Sequence, residues 1–373
     1  MELKESKSCI KHRKKKMEHK ETKRILNIDG SMGEGGGSII RLGASFSFLY
    51  NRPIKMYNIR SNRPKPGLRL QHLLGLKTLT ELTKSKLSQS KIGSQEITFI
   101  PSEGFYNKQL DVNINTAASL GLLLQPIQIA TLGLKSSEKI NLNLIGGGTF
   151  GKWAPSINYL MDLTYPIFKS SGLKIDVKVQ RHGFYPKGGA RVQCSISKMT
   201  ESIAPIKLNR LGNIDSIKGQ IIITSNLKGK NRIPERIKKI ISDELKSINH
   251  ELDIQIEWVD SYSSGVGLHL YAHSDTGAII STGTLLGDIK TSSEKLGYNA
   301  SRKLMKYIEN DIPVDNYLSD QLIPLMAYAK GKSSIKVNEI TNHTKTNLEL
   351  IHLFNERKFS ISKSKSAYLI ETA

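Results

Sequence analysis

The chain has 373 residues, 38% of them hydrophobic, and a formal net charge of +22 at neutral pH. No apolar run approaches the roughly 18 residues that a membrane span needs, so no membrane partner is expected. Two cysteines, Cys9 and Cys194, are too few for a disulfide framework or a thiolate metal site, which points to a reducing, cytoplasmic setting.

The first twenty residues hold eight Lys or Arg against three Glu, a net +5 that leaves +17 for the rest. Residues 1–23 have no apolar signal core and read as a basic disordered tail. Such charge favours a polyanion partner over plain solubility, which it also fits. After the tail, RILNID (24–29) reads as a strand that enters GSMGEGGGSIIR (30–41). Unpaired N–H groups at such a strand-to-helix turn attract anions. Glu34 among the glycines would repel a phosphate unless a divalent cation lay between them, and Arg41 could turn back to the same phosphates. A tight turn with a solvated glutamate explains the loop equally well.

YNIRSNRPKPGLRLQH (57–72) gathers Arg60, Arg63, Lys65, Arg69 and Gln71 around a proline-stiffened turn, either a phosphate-holding group or a charged surface. Leucines at 70, 73, 74, 76, 79 and 82 predict a helix over 68–83. A strand over 96–102, a helix over 117–134, a strand over 140–147, a helix over 156–168 and two strands within 173–197 follow. Gln95 and Gln125, flanked by apolar residues, suit nucleotide contacts or structural amides. Recurring strand and helix units predict an α/β fold of repeated layers. From about 208 the pattern changes to strands at 216–226, 254–261, 267–274 and 278–287 with one helix opened by Pro234. That predicts a small inserted domain over 208–287 within a larger domain of 24–207 and 288–373. Thr291 and Glu294 have capping-box spacing for the next helix.

NYLSDQLIPLMAY (316–328) places Asp320 and Gln321 inside an apolar helical run, where a carboxylate needs a metal, arginine or histidine nearby. Strand 334–340 then leads to NHTKTN (342–347). Thr346 and Glu349 are spaced as a capping box, setting His343 just before a helix carrying Leu350, Ile351 and Phe354. His343 could be a loop residue, a general base, a nucleophile or a metal ligand; a helix N-terminus keeps an imidazole neutral, as a nucleophile requires. His72, His250, His269, His273 and His352 lack metal-ligand spacing and read as structural.

Taken together, DGSMGEGGGSIIR, RSNRPKPGLRLQH, GSQ (93–95), RHGFYPKGGA (181–190), YLSDQLIP (317–324) and HTKTN (343–347) resemble the RNA 3'-terminal phosphate cyclase family over about residues 24–360. The resemblance implies βαβαββ-type repeats with an inserted α/β domain, and ATP-dependent conversion of an RNA 3'-phosphate to a 2',3'-cyclic phosphate through histidyl-AMP and RNA-adenylate intermediates. It implies His343 as nucleophile with Asp320 as its hydrogen-bond acceptor, and Glu34 as ligand of Mg²⁺ or Mn²⁺. Arg41 would bind the triphosphate, Arg60 and Arg63 would contact ATP or the RNA terminal phosphate, and Gln71, Gln125 and Gln321 would line the nucleotide site. Tyr317 would pack on adenine, and a homodimer is compatible. The chain departs from the family at Phe150 in GGTFGKWAP (147–155), where an aspartate or asparagine is common, and in its basic tail. A noncatalytic, RNA-binding branch of the family acting in ribosome assembly is the alternative, but that branch lacks the histidine that stands here at 343.

Overall fold

The computed structural model describes residues 24–248, 251–364 and 366–373. The expected tail over 1–23 and His250 lie outside them. The first unit runs β1 (Leu26–Asp29), α1 (Gly37–Leu49), β2 (Ile54–Tyr57), α2 (Leu70–Thr83), β3 (Lys86–Leu87) and β4 (Ile97–Ile100). Its sheet has the order β1-β2-β4-β3, with β1 parallel to β2 and the other pairs antiparallel. Helix α1 is buried from Ser38 to Phe48, while α2 buries Leu73, Leu76, Leu79 and Leu82 at helical spacing, so the expected amphipathic face is present.

The second unit repeats that plan with β5 (Gln109–Ser119), α3 (Leu120–Ala130), β6 (Lys139–Gly148), α4 (Ile157–Tyr159) joined through a π turn (Leu160–Thr164) to α5 (Tyr165–Ser170), β7 (Leu173–Arg181) and β8 (Arg191–Lys198). Its order is β5-β6-β8-β7, the same pattern as in the first unit. The sequence reading began a helix at 117. Instead β5 runs to Ser119, whose hydroxyl accepts from Leu122 N and caps α3.

The third unit opens with β9 (Lys207–Leu208) and is then interrupted. Strands β10 (Ile214–Thr224), β11 (Glu251–Val259), β12 (Val266–Ser274) and β13 (Ile279–Leu286) form a sheet of order β11-β10-β12-β13, accompanied by α6 (Ile233–Glu244) and α7 (Ser293–Glu309). These elements own a second core, in which Ile237 and Ile241 of α6 join Leu296, Ala300 and Leu304 of α7. Gly297 permits that approach, since a Cβ there would stand 3.0 Å from Ile237 O. This core therefore reaches past residue 287 into α7, whose cap is Ser292 rather than Thr291.

The third unit resumes with α8 (Asn316–Tyr328), β14 (Ser334–Val337), α9 (Asn342–His352), β15 (Phe359–Ser364) and β16 (Ala367–Thr372). Its sheet, β9-β14-β16-β15, again has one parallel and two antiparallel pairs. Three βαβαββ units thus share one topology, with the extra sheet inserted between the first strand and first helix of the last. The first helices of the units, α1, α3 and α8, contribute to a single large core. No helix among the described residues is long and apolar enough to cross a membrane.

The inserted sheet docks on the second unit through Asn158 Nδ2, which donates to Gln220 Oε1 at 2.7 Å, and through Thr284 Oγ1, which donates to Ser156 Oγ at 2.7 Å. Between these contacts His269 Nε2 lies 3.5 Å from Asp162 Oδ2, yet neither atom has a hydrogen-bond partner. Burial is the largest influence on both groups and disfavours their charged forms. It lowers His269 to about 3 and raises Asp162 to about 6, with Lys218 opposing the latter. At neutral pH this is a half-buried carboxylate beside a neutral, fully buried imidazole, not a salt bridge. Because the folded state raises the Asp162 pKa above its ordinary value, its favourable contribution is complete below pH 4 and is lost as pH rises through about 6. Asp162→Asn is expected to gain about 1–3 kcal/mol over the wild type at pH 7.5, a gap that closes towards pH 4. Urea unfolding at the two pH values measures it, and an equal gap at both would refute this account.

Candidate active site

The glycine loop is shaped by close approaches that exclude side chains. Gly33 has φ +57° and a Cβ there would lie 2.2 Å from Thr346 Oγ1, while a Cβ on Gly37 would lie 2.2 Å from His72 Nε2 and 2.7 Å from Arg41 Nη1. The loop therefore lies against α9 on one side and the α1–α2 pair on the other. Glu34 N donates to Thr346 Oγ1 at 3.3 Å, and that hydroxyl donates to Asn342 O at 2.7 Å. Helix α1 begins at a glycine N-cap without a side-chain cap, which leaves its first N–H groups available to an anion.

Glu34 meets two partners. Its Oε1 lies 3.0 Å from His343 Nδ1 and 3.3 Å from Arg63 Nη2, and Arg63 Nη2 also donates to Glu34 O at 3.1 Å. The His343 side chain is 48% exposed and so can be approached from solvent. It stands within the first turn of α9 rather than before it. Thr341 is the N-cap and accepts from Thr344 N at 2.9 Å, so the expected Thr346 cap is corrected by five residues.

Asp320 is close enough for the His343 charge to favour its ionised form, but its Oδ1 accepts from Thr341 Oγ1 at 2.7 Å and Thr344 Oγ1 at 2.8 Å. The expected hydrogen bond from His343 is thus replaced by these two hydroxyls, and the imidazole turns Nδ1 to Glu34. Burial outweighs these neighbours and raises the Asp320 pKa. Asn347 Nδ2 donates to Asp320 O at 3.1 Å, tying α9 to α8 once more.

Arg41 is buried in the second turn of α1, where its Nε donates to Gln125 Oε1 at 2.5 Å. Desolvation lowers its pKa to about 10, so it stays charged. Gln128 Nε2 donates to Gln321 Oε1 at 3.2 Å, so polar side chains link α1 to α3 and α3 to α8. Arg60, at φ +54°, donates from Nη1 to Lys65 O at 2.8 Å and Gly67 O at 3.1 Å. Burial and the charges of Arg69 and Arg63 lower its pKa. His72 is held well below its ordinary value by burial, then by Arg41, Arg60 and Arg69, and its Nδ1 accepts from Arg69 N at 3.1 Å. A neutral imidazole among repelling cations marks a place suited to an anion. Gln71 is half-buried in the first turn of α2.

Tyr317 belongs to the other edge of the site. The residue is 49% exposed and its ring covers Gly283 of β13, where a Cβ would meet Cε2 at 2.5 Å. Lys303 Nζ stands 4.5 Å from the ring centroid and donates to the Tyr317 hydroxyl at 3.1 Å. Behind it, Asp315 caps α8 and accepts from Tyr159 Oη, Tyr317 N and Leu318 N with Oδ1, and from Ser281 N with Oδ2. Burial raises this carboxyl to about 6. Phe150 is not at the site: it is buried, stacked at 5.1 Å on Phe184, and packs against Gly267.

The sequence analysis assigns no site role to Thr341, Thr344, Asp315 or Lys303, and names Thr346 only as a helix cap and His72 only as structural. His72 lies within the same arginine-rich stretch as Arg60 and Arg63, the signal that could have found it. Among the described residues, no group of three or more His, Cys, Asp or Glu could hold a metal ion. A lone Glu34 beside a basic pocket fits a divalent cation that takes most ligands from water and substrate phosphates, not an all-protein cage.

A histidine in the first turn of a helix of the third unit, facing a glycine loop and an arginine cluster of the first, defines an α/β enzyme that acts on phosphorylated substrates. The family model described as RNA 3'-terminal phosphate cyclase matches residues 32–361. An RNA 3'-terminal phosphate cyclase of Methanosarcina barkeri is 35% identical over 94% of this chain and 100% of its own length. One of Thermococcus kodakarensis is 34% identical over 90% of this chain and 94% of its own, and a probable cyclase of Dictyostelium discoideum is 31% identical over 92% and 79%. The chain belongs to the RNA 3'-terminal phosphate cyclase family.

Proposed function

We propose that this enzyme uses ATP to convert an RNA 3'-terminal phosphate into a 2',3'-cyclic phosphate, with His343 as the nucleophile. The observation that carries the residue assignment is the 3.0 Å approach of His343 Nδ1 to Glu34. A proton held on Nδ1 by the carboxylate leaves the lone pair on Nε2 free to attack. Attack on the α-phosphorus of ATP forms the N–P bond of a histidyl-AMP and breaks the bond to the β-phosphate, releasing pyrophosphate. An oxygen of the RNA 3'-phosphate then displaces the imidazole, taking AMP. Finally the vicinal 2'-OH attacks the same RNA phosphorus, losing its proton and expelling AMP.

Arg41, Arg60 and Arg63 would hold phosphates, with Gln71, Gln125 and Gln321 shaping the nucleotide cavity and Tyr317 offering its exposed face to adenine. Asp320, fixed by two threonines, would act as an electrostatic support for the developing imidazolium. Mg²⁺ or Mn²⁺ at Glu34 would supply neutralisation of the nucleotide charge. One chain supplies every group named, so the reading needs no second copy. Retention of His343 beside Glu34 disfavours the noncatalytic alternative.

RNA with a 3'-phosphate should become resistant to phosphatase only when ATP is present, and RNA ending in 3'-OH should yield no cyclic product. Cyclisation without a nucleotide would refute the proposed reaction sequence.

A further inference from the structure

The loops 149–155, 183–189 and 261–265 meet where the inserted sheet docks on the second unit. Phe150 stacks on Phe184 at 5.1 Å, Gly265 lies under the Phe184 ring, and Lys187 N donates to Ser263 Oγ at 3.0 Å. On this buried base the neighbouring aromatics turn outward: Trp153 is 97% exposed, Tyr185 80% and Tyr262 57%. Trp153 also has φ +60°, a left-handed backbone that a bulky side chain rarely adopts. A strained backbone that presents a fully exposed indole needs a reason outside local packing.

Cations accompany the rings. The Arg181 guanidinium lies 4.3 Å from the Tyr262 ring centroid, anchored by donation from its Nε to Gly189 O at 2.6 Å, and Lys187 is exposed between Tyr185 and the insert. Lys152 pairs loosely with Asp288 at 3.6 Å. The loop carrying Trp153 continues to Ser156, whose N and Oγ contact Thr284 Oγ1, and Thr284 follows Gly283, on which Tyr317 rests. The aromatic group is therefore joined through a short run of direct contacts to the edge of the catalytic site. Trp153 is only three residues from Phe150, at most about 11 Å along the chain, which ties its loop to the Phe150–Phe184 base.

We infer that Trp153, Tyr185 and Tyr262, with Arg181 and Lys187, form a stacking platform for single-stranded RNA on the 5' side of the two terminal nucleotides. Exposed π faces interleaved with cations fit unpaired bases and their phosphates, and they are sequence-tolerant because every base has a face to stack. The inference rests on the proposed cyclase reaction for its substrate but not for its geometry.

The test uses the full chain with two substrates, a twelve-nucleotide RNA and a dinucleotide, both bearing a 3'-phosphate. Trp153→Ala combined with Tyr185→Ala should raise KM for the longer RNA about 10-fold or more, with little change in kcat or in KM for the dinucleotide. Adenylylation, which needs no RNA, reports that the double variant is folded, and Trp153→Phe should restore most of the affinity. In Trp258→Phe, where Trp153 is the one remaining indole, twelve-nucleotide RNA ending in 3'-OH should quench the fluorescence while heparin, a polyanion without bases, should not. An unchanged KM for the longer RNA, an equal loss on both substrates, or equal quenching by heparin would each overturn the platform. Failure of the wild type to cyclise either substrate would instead strike the proposed function, and fluorescence quenching by RNA would still decide the platform.

Discussion

His343→Ala is expected to abolish covalent labelling of the protein by ATP carrying a labelled α-phosphate, and to lower cyclisation by at least about 10⁴-fold. The size follows from the role: a nucleophile that forms the covalent intermediate has no substitute in water at that position, whereas a positioning residue leaves the pathway open. A loss caused by misfolding is separable, because the side chain is half exposed and its Nδ1 contact is with one carboxylate. Thermal stability should therefore change little, within about 1 kcal/mol. Labelling that persists in the folded variant would remove His343 as the attachment point. His352, in the last turn of the same helix and exposed, supplies the matched control.

Much of this site was legible because charge and glycine patterns survive in a linear reading. Glu34 amid glycines, the arginines of the proline-stiffened turn, and a carboxylate within an apolar helix each violate a local expectation, and the fold brings all three to His343. What the sequence concealed depends on tertiary contact. Thr341 and Thr344 look like ordinary cap residues, and nothing local shows that their hydroxyls hold Asp320. The end of β5 is obscured because Ala117 and Ala118 are as compatible with a helix as with a strand and Ser119 is a single polar residue before the apolar run from Leu120, although Leu110, Val112 and Ile114 alternate as a strand should. The final pair of strands was missed for another reason. β15 is an edge strand with residues such as Ile361 exposed, so burial imposed little alternation on its serine- and lysine-rich sequence.

The same distinction between charge and contact makes Glu34 the second position of large expected effect. Its carboxylate faces Nδ1 of His343 and Nη2 of Arg63 through Oε1, leaving Oε2 for a divalent ion. Glu34→Gln keeps an oxygen that can accept from His343 but loses the charge; Glu34→Ala loses both. If the two functions are combined in one side chain, Glu34→Gln should slow adenylylation about 10²-fold, shift its Mg²⁺ requirement upward, and recover in part at high Mg²⁺. Glu34→Ala should fall further, about 10³-fold, and recover little, because the imidazole tautomer is no longer fixed. A chelator should stop labelling in the wild type. Titrating Mg²⁺ against the rate of protein labelling in all three proteins separates the contributions. Equal rates and equal Mg²⁺ requirements would refute both, whereas two variants impaired alike and rescued alike would confine Glu34 to the ion. The Arg63 contact sharpens the comparison: removing the carboxylate frees a guanidinium to approach the phosphates, so tighter ATP binding with slower chemistry is the signature expected for Glu34→Ala.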